Sequence, residues 1–191
     1  MMAHGTVLIR SLAGIVAIAT IAGCGSVVHG AAPSRAQLVA DLKGSPSPLA
    51  ALHSQANQLL GGGASALRAR LRALRGYPVV VTQWASDCEP CQAEFPYFQQ
   101  LSATLGRRVA FIGNDASDTT GGARDWLRRF PVSFPSYRDP SGQVALALSP
   151  YFALDTPVTY LYTRSGVQYS NVGPYASEQA LRRQIRADLG V

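Results

Sequence analysis

Two cysteines three positions apart, Cys88 and Cys91, separate a short apolar run from an amphipathic one, and that placement limits what this chain can become. Upstream, Pro78-Val79-Val80-Val81-Thr82-Gln83 is the β-branched kind of segment that a buried central strand uses. Downstream, Phe95, Phe98, Leu101 and Leu105 recur at helical spacing as far as Gly106, a helix stop. The pair therefore lies at a strand-to-helix junction. A cysteine in the first turn of such a helix faces unpaired backbone N–H groups and the positive end of the dipole, which favour thiolate over thiol. Lowering its pKa from ~8.5 to ~7 takes about 2 kcal/mol of preferential thiolate stabilisation. Cys88 is the expected nucleophile, and Cys91, one turn further in, the less exposed resolving thiol.

The chain's 191 residues suffice for one domain with a real core. The beginning is not part of it. Arg10 is the only Lys or Arg before the apolar, small-residue run from Ser11 to Gly23, which has the make-up of a signal-peptide core and is too short for a secure membrane span. It ends Ile21-Ala22-Gly23-Cys24, a small-residue site that resembles the bacterial lipobox, in which the cysteine is lipidated and becomes the new N-terminus. Lipid on Cys24 leaves an even count of two thiols. An exported protein meets an oxidising compartment, where an adjacent pair is a staple or a working dithiol; so short a loop constrains the unfolded chain little, which favours the dithiol. The net charge of +6 does not imply nucleic acid, and Arg68, Arg70, Arg72 and Arg75 read as a solvated helix face.

The expected organisation is a signal peptide over 1–23, a lipid-anchored flexible tether over 24–48, rich in Gly, Ala, Ser and Pro, and a folded domain over 49–191. Within the domain, a weak helical pattern runs from Leu49 to Leu60. A second helix, capped by Ser65, places Leu67, Leu71 and Leu74 on one face. The strand at 78–84 and the helix at about 89–105 follow, with Pro96 inside the helix. Arg108 to Gly113 reads as a second buried strand, so helix and strands make a right-handed parallel crossover. Asn114 to Gly122 reads as a polar loop, Ala123 to Phe130 as a short helix, Phe134 to Asp139 as irregular, and 142–148 as a short helix. Pro157 to Tyr162 and Val167 to Val172 form a hairpin around Arg164-Ser165-Gly166, and a last helix begins near Ser177.

The run Trp-x-x-x-Cys-Glu-Pro-Cys-x-x-Glu-Phe-Pro, the later Thr156-Pro157 opening a strand, and the strand-turn-strand-helix ending resemble the TlpA/ResA-like branch of thioredoxin-fold thiol–disulfide oxidoreductases, over roughly residues 65 to 190. The resemblance implies an α/β thioredoxin-like fold, a central mixed sheet flanked by helices, with 114–150 as a central insertion. It implies that Pro157 is cis and that the backbone of Thr156 meets a bound substrate strand beside the sulfur. Glu94 matches an acidic position that handles protons near the thiols, against a plain reading as a helix-surface carboxylate. Trp84 matches a tryptophan that packs beside the dithiol, and Glu89 and Pro90 fill the residues between the cysteines. Two positions depart from the pattern. Asp87 stands where an aromatic residue usually precedes the first cysteine, and its carboxylate opposes thiolate formation. Gln83 stands where an apolar residue is common.

The function expected is membrane-anchored, extracytoplasmic thiol–disulfide exchange. The Cys88 thiolate attacks a partner disulfide and Cys91 resolves the mixed disulfide, with no cofactor and no metal. Pro90 removes one N–H from the first turn, and Asp87 and Glu89 add negative charge, which points toward the reducing end of a range that spans about 150 mV. The expected partners are disulfides of exported proteins or the thiols of apocytochrome c, a membrane-embedded electron donor, and the membrane itself through the lipid anchor. A peroxiredoxin-type thiol peroxidase needs Pro at 81 and Thr at 85, where this chain has Val81 and Ala85. A metal-binding lipoprotein needs further ligands, and no histidine follows His53. A redox-dead binding lipoprotein is disfavoured by two intact thiols.

Overall fold

In the computed structural model, which describes Met1 and residues 34–191, alternate residues of three adjacent strands face opposite sides of one sheet. Val80, Phe111 and Leu161 point to one side; Val79, Val81, Ala110, Ile112, Val158 and Tyr160 point to the other. A strand buried on both faces must be apolar at nearly every position, which is why Val79-Val80-Val81 forms the centre. The expected signal peptide over 1–23 and the lipidation site Cys24 lie outside the described residues, apart from Met1.

The elements are α1 (Arg35–Val39), α2 (Ser47–His53), β1 (Leu59–Leu60), α3 (Gly63–Ala73), β2 (Val79–Trp84), α4 (Glu89–Leu105), β3 (Ala110–Ala116), α5 (Thr120–Arg129), β4 (Ser136–Asp139), α6 (Gln143–Leu148), β5 (Val158–Tyr162), β6 (Gln168–Val172) and α7 (Glu178–Leu189). The sheet order is β1-β4-β3-β2-β5-β6. Its first four strands are parallel, while β5 runs antiparallel to β2 and β6 antiparallel to β5. Helices α4, α5 and α7 supply one core, and α2, α3 and α6 the other. This is the mixed, helix-flanked sheet expected.

Five local expectations are corrected. Of the 24–48 tether, the part from Ser34 onward is helical in places and docked: Ser34 closes a capping box, and Leu38 and Leu42 are buried. Leu42 and His53 close on Gly106 at the end of α4, and the His53 Nε2 stands 3.0 Å from the Gly106 carbonyl. The helix expected over 49–60 ends at His53. The chain turns through Asn57 at φ 58°, and Leu59-Leu60 pair with Ser136-Tyr137 instead. Helix α3 starts earlier than a Ser65 cap implies: its N-cap is Gly62, whose φ of 91° a side chain would resist. The segment 134–139, which reads as irregular in the sequence, contains β4, and β3 continues through Asn114 and Asp115 to Ala116, where the sequence reads as loop.

Candidate active site

The carboxyl ends of β2 and β3 and the start of β5 converge where the dithiol lies. Trp84 ends β2, and Ala85 to Asp87 turn the chain, with Cys88 N–H donating to the Ala85 carbonyl at 3.2 Å. Cys88 is then the N-cap of α4, and its Sγ accepts the Cys91 N–H at 3.1 Å. A sulfur in that position meets one of the helix's free N–H groups, the local field that favours negative charge. Cys88 and Cys91 form a disulfide with Cα atoms 5.2 Å apart. Cys88 keeps 9% of its surface exposed and Cys91 none, so the first sulfur is the reachable one.

Thr156-Pro157 is a cis peptide bond directly before β5, and the register Gln83↔Val158 puts it beside the end of β2. Glu89 and Pro90 are exposed on the first turn of α4. Glu94 is not a surface carboxylate. It is 1% exposed, and its Oε2 accepts the Tyr175 N–H at 2.8 Å. Burial raises its pKa to about 7 against the opposing effect of that N–H. Glu94 follows Cys91 by three residues, the spacing that puts both on one helix face.

Trp84 is fully buried in the cluster that contains both cysteines. It stacks on Trp126 with centroids 5.3 Å apart, while Phe95 meets both rings edge-on. Such pairs hold the floor of the dithiol turn rigid. Gln83, the polar residue in an apolar position, has a structural explanation: its side-chain amide donates to the Phe152 and Asp155 carbonyls at 3.2 and 2.7 Å and accepts from Asn114 at 3.1 Å. It ties the segment leading into Pro157 to β2.

Sequence reasoning missed Gln83 in this role, together with Ser86, Asp115, Asp118 and Tyr175. Asp118 accepts from both Ser86 N–H and Ser86 Oγ–H at 2.7 Å, and Asp115 lies buried in β3 with neither carboxyl oxygen hydrogen-bonded. Among the described residues, no cluster of three or more His, Cys, Asp or Glu side chains is arranged to hold a metal ion.

The AhpC/TSA family model matches residues 58–169, from β1 into β6 and across both cysteines and Pro157. The chain belongs to the AhpC/TSA family. Among individual relatives of this family member, the thiol-disulfide oxidoreductase ResA of Bacillus thuringiensis is 21% identical over 117 residues, covering 61% of this chain and 66% of that protein. The thiol:disulfide interchange protein DsbE of Escherichia coli is 35% identical over 101 residues, covering 52% of this chain and 51% of that protein. The chain thus spans between about half and two thirds of these relatives. A secreted Mycobacterium tuberculosis disulfide oxidoreductase homologous to Escherichia coli DsbE superposes with a TM-score of 0.55 at 24% identity, over 61% of this chain and 85% of that one. The resemblance to ResA-like proteins, drawn from the cysteine motif, is met, as is the thioredoxin-like fold.

Proposed function

We propose that this protein is an extracytoplasmic thiol–disulfide oxidoreductase that reduces disulfides through Cys88 and Cys91. The observation that carries the reading is a cysteine pair of unequal exposure at the start of α4, beside the cis Thr156-Pro157 bond. In the reduced protein the Cys88 thiolate attacks one sulfur of a substrate disulfide and the other sulfur leaves as a thiolate. Cys91 then gives up its proton and attacks Cys88 Sγ, so that the second substrate thiolate departs and the Cys88–Cys91 disulfide forms. Two electrons have moved to the substrate. Glu94, buried with a pKa of about 7, accepts the Cys91 proton. The Thr156 backbone aligns the substrate strand, Trp84 supports the turn, and Glu89 and Pro90 shape its rim.

Regeneration needs a two-electron donor, assigned here to a membrane-embedded dithiol partner. A lipid on Cys24 would hold the domain near it. The substrates proposed are exported proteins with unwanted disulfides, or apocytochrome c. Reduction of insulin disulfides by dithiothreitol, followed as turbidity, tests the activity. Wild type should accelerate it well above background and Cys88→Ser should not; equal rates for the two would refute the reading.

A further inference from the structure

Behind the dithiol turn stand two carboxylates that the exchange chemistry does not use. Asp115, on β3, is 1% exposed; its neighbours in register are Trp84 on β2 and Arg138 on β4. Neither of its oxygens has a hydrogen-bond partner. Asp118, in the loop before α5, spends both oxygens on one residue: Oδ2 accepts the Ser86 N–H and Oδ1 the Ser86 hydroxyl, each at 2.7 Å. Ser86 precedes Cys88 by two residues. Gly122, in the first turn of α5, comes so near that an added Cβ would stand 2.8 Å from Ser86 Oγ. Loop and helix close around the serine.

A carboxylate offers both of its oxygens as acceptors, the arrangement Asp118 makes with Ser86. A buried carboxyl beside a half-buried one does not readily ionise as well. Asp115 is the deeper and unpartnered one, so burial, and after it Asp118, push its pKa up to about 8; Arg138 opposes this and Asp139 adds to it. Of the other polar groups nearby, Arg138 keeps its Nε without a hydrogen-bond partner, and the rest are committed. Asp139 accepts the Val144 and Ala145 N–H groups, Thr119 Oγ1 accepts the Gly122 N–H, and the Trp84 indole donates to Ser136.

We propose that Asp118, which grips Ser86 through both oxygens, is the positioning residue of the dithiol turn, and that the buried, unpartnered Asp115 behind it governs how firmly that grip holds. The proposal rests on the reading of Cys88 as the reacting thiol. It makes the turn sensitive to alkali: once Asp115 ionises, two like charges face each other, and the grip on Ser86 weakens.

The test is alkylation of the reduced full-length protein by iodoacetamide between pH 6 and 9.5, read at Cys88 by peptide mass spectrometry. Asp118→Ala should move the pH midpoint of Cys88 alkylation by half a unit or more. Ser86→Ala, which keeps the backbone donor, should move it less. Asp115→Asn mimics the neutral acid, so its rate should stay within twofold of wild type up to pH 7, and the wild-type-to-variant ratio should change threefold or more by pH 9. An unshifted midpoint in Asp118→Ala, an Asp115→Asn protein as perturbed as Asp118→Ala at pH 7, or a flat ratio to pH 9 would each overturn the proposal. Should Asp118→Ala fail to fold, the Asp115→Asn ratio decides alone. Alkylation needs no substrate, so absence of insulin reduction by wild type would remove the proposed activity without touching this result.

Discussion

Glu94 on α4 accepts the backbone N–H of Tyr175 at 2.8 Å, which joins the dithiol helix to the segment between β6 and α7. Because the bond is buried, it has a pH signature. The folded-state pKa of Glu94 is about 7 and its ordinary value 4.5, so between these the native protein holds a proton that the unfolded chain has released. Stability is therefore fully present below the lower value and falls as pH climbs toward the upper one, by up to about 3 kcal/mol. Asp115 produces a parallel loss, because its pKa is also raised. Urea unfolding of the oxidised protein between pH 4.5 and 7.5 should thus show declining stability, with a shallower decline in Glu94→Gln.

The amide of Gln83 holds two carbonyls of the 152–155 segment. Gln83→Leu leaves those acceptors without their donor, at a cost of roughly 1–3 kcal/mol in denaturant unfolding. The same loosening should raise KM for a protein disulfide while the rate with a small aromatic disulfide stays near that of wild type.

Phe95 touches Trp84, Trp126 and Phe130 edge-on and is 1% exposed. Phe95→Ala should cost about 3–5 kcal/mol, and Phe95→Leu much less. Loss of near-ultraviolet dichroism from the stacked tryptophans, with far-ultraviolet dichroism retained, would locate the damage in the packing.

Asp87 and Glu89 are exposed beside Cys88, and Pro90 removes one N–H donor from the first turn of α4. All three work against the thiolate. Equilibration in dithiothreitol buffers should place the dithiol nearer the thioredoxin value of about −270 mV than the DsbA value of about −120 mV. Replacing Asp87 and Glu89 by Asn and Gln should raise the potential.

How far the fold could be read ahead depended on where polar residues were buried. β2 and α4 were legible because an unbroken β-branched run and a helical repeat of Phe and Leu have no competing explanation. Asn114 and Asp115 read as loop because a hydropathy pattern treats polar residues as exposed, whereas here they lie within β3, Asn114 bonded to Gln83. β4 was hidden by Pro135 and its own Ser136, Arg138 and Asp139, and two residues of β1 are too few to show a period. The two cysteines and Pro157 were legible from spacing and motif, but the contacts supporting them were not. Ser86 with Asp118 lies 32 positions apart and Glu94 with Tyr175 81, and no local pattern announces such pairs.

The most direct test of the central claim is the mass of the adduct formed when reduced Cys91→Ser protein meets a peptide disulfide. One peptide should be captured on Cys88 and persist, because the residue that releases it is gone, while wild type should release the peptide and end as the Cys88–Cys91 disulfide. No adduct at Cys88, or the same capture by the protein lacking both thiols, would contradict the account.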